Sequence, residues 1–442
     1  MNNLIKKHKV LILISSLVLL ISLWTIFNNN RWGKLEVIRW DSSGYYLYLP
    51  ATFIYKDLKN LHFFDTFLDV KYYPAGDAKR YALTVHESGA KTNKYAIGVS
   101  LLQMPFFAVA HLYTKHLTNE NPDGYTKYYQ LSIQLTAVFL VLISLILLYQ
   151  FLVLYFNRIS VSIALLSVYF GTNLFYYTVF EAGMSHVYSF FIFSAILYFS
   201  QRIFLESKFN IFNFSMLFLS LGMAVAVRPI DIITIIVPLY LFFKLSGNKI
   251  DWLKENSMNI LSAFLLFFFP ILFQLLYWKI SAGSWVYYSY QNESFDFFDS
   301  QILNGLFSYK KGWFVYTPLG IFMMLGLIIQ IIRRKFLHLS IPILIFTTIY
   351  IYVIFSWENW YYGGGFSCRP IIQAYAFLAF PLTYLIQFFL NKRRVSKLFI
   401  SLLLFLLVSL NLLQTFQYKK GIIHCDNMTC KMYWQNFFRL TN

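Results

Sequence analysis

The cations Lys6, Lys7 and Lys9 lead into VLILISSLVLLISLWTIF at residues 10–27, and Asn28, Asn29 and Asn30 follow. A basic flank, an apolar run close to the roughly 20 residues a helix needs to cross a bilayer, and no small-residue cleavage site predict a retained signal anchor with its N-terminus inside. The same pattern recurs at 131–156, 160–180, 187–204, 211–227, 258–280, 316–332, 341–356, 371–390 and 398–416, with a shorter run at 230–243 after Arg228-Pro229. Residues 97–113 are also apolar, but Pro105 interrupts them and polar sequence flanks them. If they do not cross, about eleven spans remain. That count puts Arg158, Lys208, Lys244, Lys249, Lys254, Arg333-Arg334-Lys335 and Lys392-Arg393-Arg394 with Lys397 on the inner side, as the positive-inside rule asks. A second topology, in which 97–113 crosses and 211–243 is one broken helix, stays open.

Composition agrees with a bilayer as solvent. Of 442 residues, 58% are hydrophobic, 21% aromatic and 13% charged, and the mean hydropathy is +0.55. So little charge cannot coat a soluble domain, in which about a quarter of residues are charged. The net charge of +18, from 37 Lys+Arg against 19 Asp+Glu, falls mostly between apolar runs. It reads as topology and headgroup contact, with no nucleic-acid partner. Cys368, Cys425 and Cys430 are too few for a zinc framework or a disulfide scaffold. Cys425 and Cys430 are either one local disulfide or two free thiols.

The expected fold is therefore all-α, a single integral membrane domain over residues 1–442. Its long external loop, 28–96, and its short external tail, 417–442, lie on the same side as 181–186, 281–314 and 358–370. In the first loop Phe53, Ile54, Leu58, Leu61 and Phe64 fall at helical spacing, which predicts juxtamembrane helices along the interface.

Charge at membrane depth is expensive, so each ionisable residue near a span end calls for a partner or a function. Asp41, in Arg39-Trp40-Asp41-Ser42-Ser43-Gly44-Tyr45-Tyr46, is either a base for a hydroxyl or a helix cap, and Gly44 would permit a tight turn. Lys94, ahead of Tyr95-Ala96-Ile97-Gly98, either snorkels to headgroups or holds a lipid-linked phosphate. Glu181 and His186 are an acid–base pair or a cap and an interfacial histidine. Arg228 either neutralises Asp231 or turns into a cavity towards an anion, Pro229 having opened the helix. The densest groups are Ser308-Tyr309-Lys310-Lys311-Gly312 and Trp357-Glu358-Asn359-Trp360-Tyr361-Tyr362-Gly363-Gly364-Gly365-Phe366-Ser367-Cys368-Arg369-Pro370. Three glycines admit a ligand close to the backbone, Trp357, Trp360 and Tyr361 offer faces to a sugar, and Arg369 offers a guanidinium to phosphate.

In order, these elements resemble the GT-C superfamily of polytopic glycosyltransferases, whose members include protein O-mannosyltransferases and the lipid A aminoarabinose transferase. On this resemblance Asp41 matches the catalytic aspartate of the first external loop, Lys94 the basic residue of a Lys-Pro-Pro or His-Pro-Pro element, and Arg369 the late-loop arginine. Ser42 stands where a second acid is usual, and Ala96-Ile97 replaces the proline pair.

The resemblance implies a hexosyl- or mannosyltransferase-like enzyme that moves a sugar from a polyprenyl-phosphate donor to a lipid, glycan or protein hydroxyl, at the outer face of a bacterial cytoplasmic membrane. Asp41 is then the general base. Lys94, Arg228, Arg369 and Lys310 bind the donor phosphate, and Trp357, Trp360, Tyr361, Glu181 and His186 face sugar or acceptor. No cofactor is firmly implied, and a divalent metal is left open. The alternative is a transporter or flippase of lipid-linked saccharide, although paired halves are not visible in the sequence. A non-catalytic membrane scaffold ranks third.

Overall fold

The computed structural model describes residues 2–64, 82–244, 248–291 and 293–441. The chain is mostly helical, and its described strands are one antiparallel pair, Leu83–Val85 against Lys91–Asn93. Seven helices among the described residues are long and apolar enough to cross a membrane. They are Lys9–Asn29, Lys127–Leu152, Ser185–Phe204, Ser257–Ser281, Leu337–Phe355, Arg369–Leu390 and Arg394–Lys419. Pro229–Lys244 and Lys249–Glu255 make an eighth if that bent pair counts as one span.

The remaining apolar runs become shorter elements, each for a local reason. Run 160–180 divides because the Arg158–Phe170 helix stops at Gly171, where Thr172 Oγ1 bonds back to Val168 O at 2.7 Å and takes Leu174 N at 3.2 Å. The helix resumes as Leu174–Val179. Thr317-Pro318 likewise separates Trp313–Tyr316 from Leu319–Ile332. Arg228 precedes a proline and is extended, so the Ile211–Val227 helix ends there and a 3-10 stretch, Pro229–Ile235, follows before Ile236–Lys244. Residues 97–113 belong to a continuous helix, Gly98–Leu117, that runs through Pro105.

Burial sorts the spans. Arg369–Leu390 is 83% buried and Ser185–Phe204 78%, whereas Ser257–Ser281 is 22% buried, so the first two form the centre and the last faces outward. Its exposed Leu265, Phe269 and Leu272 are what a lipid-facing surface requires.

Two short helices of the first loop pack against the rest of the protein. Asp41–Tyr46 and Tyr48–Phe53 bury Tyr45, Tyr46, Tyr48 and Leu49. A buried tyrosine needs a partner for its hydroxyl. Tyr45 donates to Ser185 Oγ at 3.1 Å, Tyr46 to Gly124 O at 2.5 Å and Tyr48 to Tyr95 O at 2.5 Å. After Phe53 the helix ends, Asp57 accepts from Asn60 N and His62 N and turns the chain at Leu58 and Leu61, and helical structure begins again at His62.

Gly98 joins the first loop to the rest. A Cβ there would stand 2.4 Å from the carbonyl carbon of Ala226, so the Gly98–Leu117 helix starts hard against the backbone just before Arg228. Gly98→Ala should force these elements apart and lower unfolding stability in detergent by about 1–3 kcal/mol. Gly364→Ala, where a Cβ meets open space, should leave the thermal midpoint unchanged.

Candidate functional site

Segments far apart in sequence meet at one end of the bundle. Asp41 is the first residue of its helix, and Trp40 occupies the cap position without a side-chain cap bond. The carboxylate is turned across the molecule, with Oδ2 accepting from Arg369 Nη2 at 2.8 Å and Oδ1 from Tyr95 OH at 2.8 Å. The side chains of Asp41 and Arg369 are 17% and 13% exposed, so the pair is poorly hydrated and stronger than a surface ion pair. Two glycines make the approach close. A Cβ on Gly44 would meet the Tyr95 ring at 2.3 Å, and one on Gly183 would meet Ser42 Oγ at 1.7 Å. Gly44 therefore supplies room for Tyr95 within a helix, not the tight turn the sequence suggested.

Arg228, at the broken end of its helix, donates from Nη1 to His186 Nδ1 at 2.9 Å. Asp231, three residues on, is fully buried, attracts the Arg228 charge without a direct ion pair, and accepts from Tyr350 OH at 3.1 Å. Gln373 lies between the two groups: its Nε2 donates to Tyr350 OH, and its Oε1 is 3.3 Å from His186 Nδ1, which already accepts from Arg228.

Lys94 is already occupied. Its ammonium contacts Glu293 Oε1 and lies 4.8 Å from the centre of the Tyr290 ring, and its carbonyl accepts from Ser289 Oγ at 2.7 Å. The segment around Ser289–Glu293 is thereby strapped to Lys94, a contact that sequence reading missed because the partner lies 199 residues away.

These residues line one cavity of about 910 Å³, in the range of small-molecule sites. Asp41, Lys94, His186, Arg228, Glu293 and Arg369 supply its charged and titratable lining. Val225, Ile230, Ile233, Ile271, Leu275 and Trp278 add an apolar lining from the stretches around the helix break at Arg228-Pro229 and from Ser257–Ser281. Trp357, Tyr361 and Gly363 also line it. Gly363 adopts φ +65°, a conformation natural to glycine.

Three expected site residues do not reach the cavity. Glu181 pairs with Arg31 at 3.0 Å. Lys310 Nζ sits 3.4 Å from the Tyr361 ring centre and 3.5 Å from Asp426 Oδ1, held by the C-terminal tail. Trp360 packs edge-on against Tyr361, with centroids 5.7 Å apart. Glu181 and Lys310 each have a partner beyond their own motif, which no spacing rule reveals, whereas Trp360 packs on its own neighbour.

Lys311, not Lys310, is the buried member of the pair. It is 3% exposed, and its ammonium donates to Gly365 O and Cys425 O. Burial, then the charge of Arg369, pulls it down to about 7. Lys310 acts in the same direction, while Cys425 and Asp426 oppose it, and the Tyr418 ring lies 5.9 Å away.

Cys425 and Cys430 are both free. Among the described residues, no three His, Cys, Asp or Glu side chains come together as a metal site. Both oxygens of Asp41 are engaged by Arg369 and Tyr95, so the residues present do not fit a divalent metal. Comparison of the chain with protein-family models, curated proteins and solved structures finds no match.

The Lys311 shift has a measurable consequence. An unfolded lysine titrates near 10.4, so between about pH 7 and pH 10 the unfolded chain binds more protons and stability rises with pH. The thermal midpoint of the wild type should climb over that window relative to Lys311→Met. Parallel pH profiles of the two proteins would contradict the burial of a titrating amine.

Proposed function

We propose that this chain is a GT-C-type glycosyltransferase that moves a sugar from a polyprenyl-phosphate donor to an acceptor hydroxyl at the outer face of a bacterial cytoplasmic membrane. The seven long helices, the three shorter apolar helices and the bent pair are read together as about eleven crossings, matching the eleven apolar runs. The cations between those runs then fall inside and the cavity opens outside.

One observation carries the reading: one cavity is lined both by aliphatic side chains and by the cations Lys94, Arg228 and Arg369, with the Asp41 carboxylate paired to Arg369 and that of Glu293 to Lys94. That lining suits a lipid-linked anion, its tail among Val225, Ile233 and Ile271 and its phosphate near Arg228 and Arg369. Arg369 and Tyr95 hold the Asp41 carboxylate by hydrogen bonds. A phosphate that draws the guanidinium away frees an oxygen of Asp41 to face the acceptor hydroxyl.

The acceptor O–H then gives its proton to Asp41 while its oxygen bonds to the anomeric carbon. The bond from that carbon to the phosphate oxygen breaks, and polyprenyl phosphate leaves with the electron pair. Arg228 and Arg369 stabilise the charge that develops on the phosphate. Tyr95 OH fixes the rotation of the carboxylate, and Trp357 and Tyr361 wall the sugar.

A transporter or flippase would share the amphipathic cavity but has no need of a proton acceptor in it. In purified protein, Asp41→Asn should cut sugar transfer by about a hundredfold or more while donor binding survives. Arg369→Ala should instead weaken donor binding through loss of a charge-assisted contact. Full turnover by Asp41→Asn would end the proposal. For sidedness, a cysteine at Gly364 should react with an impermeant thiol reagent in intact cells, and one at Arg334 or Arg393 should not. The opposite labelling would turn the site inward.

A further inference from the structure

Lys311 does not line the cavity, yet it touches the loop that carries Arg369. Its ammonium is shared between two carbonyls from separate parts of the chain, Gly365 O in the glycine loop and Cys425 O in the C-terminal tail. The stretch after Gly365 is held by further contacts. Phe366 N donates to Tyr177 OH at 3.0 Å, and Asn173 Nδ2 donates to Cys368 O at 3.3 Å. A Cβ on Gly365 would meet Tyr177 OH at 2.7 Å, so this backbone has little freedom to shift towards Tyr177. The tail is itself anchored, with Trp434 Nε1 on Tyr309 OH at 3.0 Å and Asp426 beside Lys310.

We propose that Lys311 is a positioning residue that sets Arg369 by clamping the Gly365 carbonyl to the C-terminal tail, which makes the chain beyond Lys420 a working part of the site. An amine suits the task. Charged, it has three N–H donors, and neutral, it still has two, one for each carbonyl. The clamp therefore persists when burial and Arg369 draw the group towards neutrality. Removing it would leave the buried Gly365 carbonyl without this donor and release the tail at Cys425, a cost that loosening of the loop relieves. The role for Arg369 rests on the phosphate-binding reading above, but the clamp itself does not.

Cys368 reports on the loop directly, because it is 3% exposed and lies next to Arg369. In the full chain with Cys425→Ser and Cys430→Ser, which keep their main-chain carbonyls, Cys368 is the one remaining thiol. Its labelling by a small maleimide should quicken about tenfold or more in Lys311→Met, measured well below the thermal midpoint of each protein. A stop after Lys420 should give a similar rise. The two changes combined should add little to either, since groups acting through one contact are non-additive. If Lys311→Met does not fold, Lys311→Gln, which keeps two donors on a shorter arm, is read in the same way.

A short-chain prenyl phosphate should also bind Lys311→Met about tenfold more weakly. Unchanged labelling of Cys368, or fully additive effects of the substitution and the stop, would overturn the clamp. Faster labelling with unchanged prenyl phosphate affinity would overturn the link to Arg369 while the clamp stood. Neither result depends on whether Asp41→Asn abolishes sugar transfer.

Discussion

A guanidinium keeps its proton throughout the range of cellular pH, so Arg369 can sit in a poorly hydrated cavity only with a compensating charge in reach. Asp41 supplies it at 2.8 Å from 328 positions away. Much of the local architecture follows from that requirement. The first loop must fold back into the protein to deliver the carboxylate, and its tyrosines must find buried acceptors. Gly44 and Gly183 must lack side chains so that the loop can fit between Tyr95 and the 181–186 clip. Taking either charge away leaves the other unpaired, which is far more damaging than never having had the pair.

Beneath this pair lies a polar layer with a different character. Asp231, Tyr350 and Gln373 are buried among apolar helices and hydrogen-bond one another, while Gln373 also reaches towards His186. Polar groups at such depth persist where the alternative is an unpaired dipole in hydrocarbon. The layer holds the 3-10 stretches Pro229–Ile235 and Arg369–Ala374 in register, and each of these follows or begins with a cavity arginine. Backbone irregularity at the two arginines is thus supported from below by side-chain hydrogen bonds, not left to the bilayer.

Much of the site was legible in the sequence because its residues sit at the ends of apolar runs, where a charged or polar group stands out. Asp41, Lys94, His186, Arg228, Trp357, Tyr361 and Arg369 could be singled out for that reason, and they do line one cavity. Glu181, Lys310 and Trp360 belong to the same motifs yet face elsewhere, because what turns them is a contact with Arg31, Asp426 or Tyr361. The engagement of Lys94 by Glu293 was hidden for the same reason. The helical content was equally plain, but hydropathy does not see where a helix stops. Thr172 and Pro318 divide runs that read as continuous apolar stretches, whereas the break at Arg228-Pro229 shows in the sequence.

The contact between Ser42 and Gly183 has a bearing on how this sequence could change over time. A side chain at 183 would occupy the space of the serine hydroxyl, so a larger residue could be inherited there only after position 42 had become smaller. Gly44 and Tyr95 stand in the same relation, the ring filling the volume that a Cβ at 44 would take. In a set of descendants, each pair should drift together or not at all. Their mutual dependence would then mark the fit of the first loop even where the surrounding residues had diverged beyond recognition.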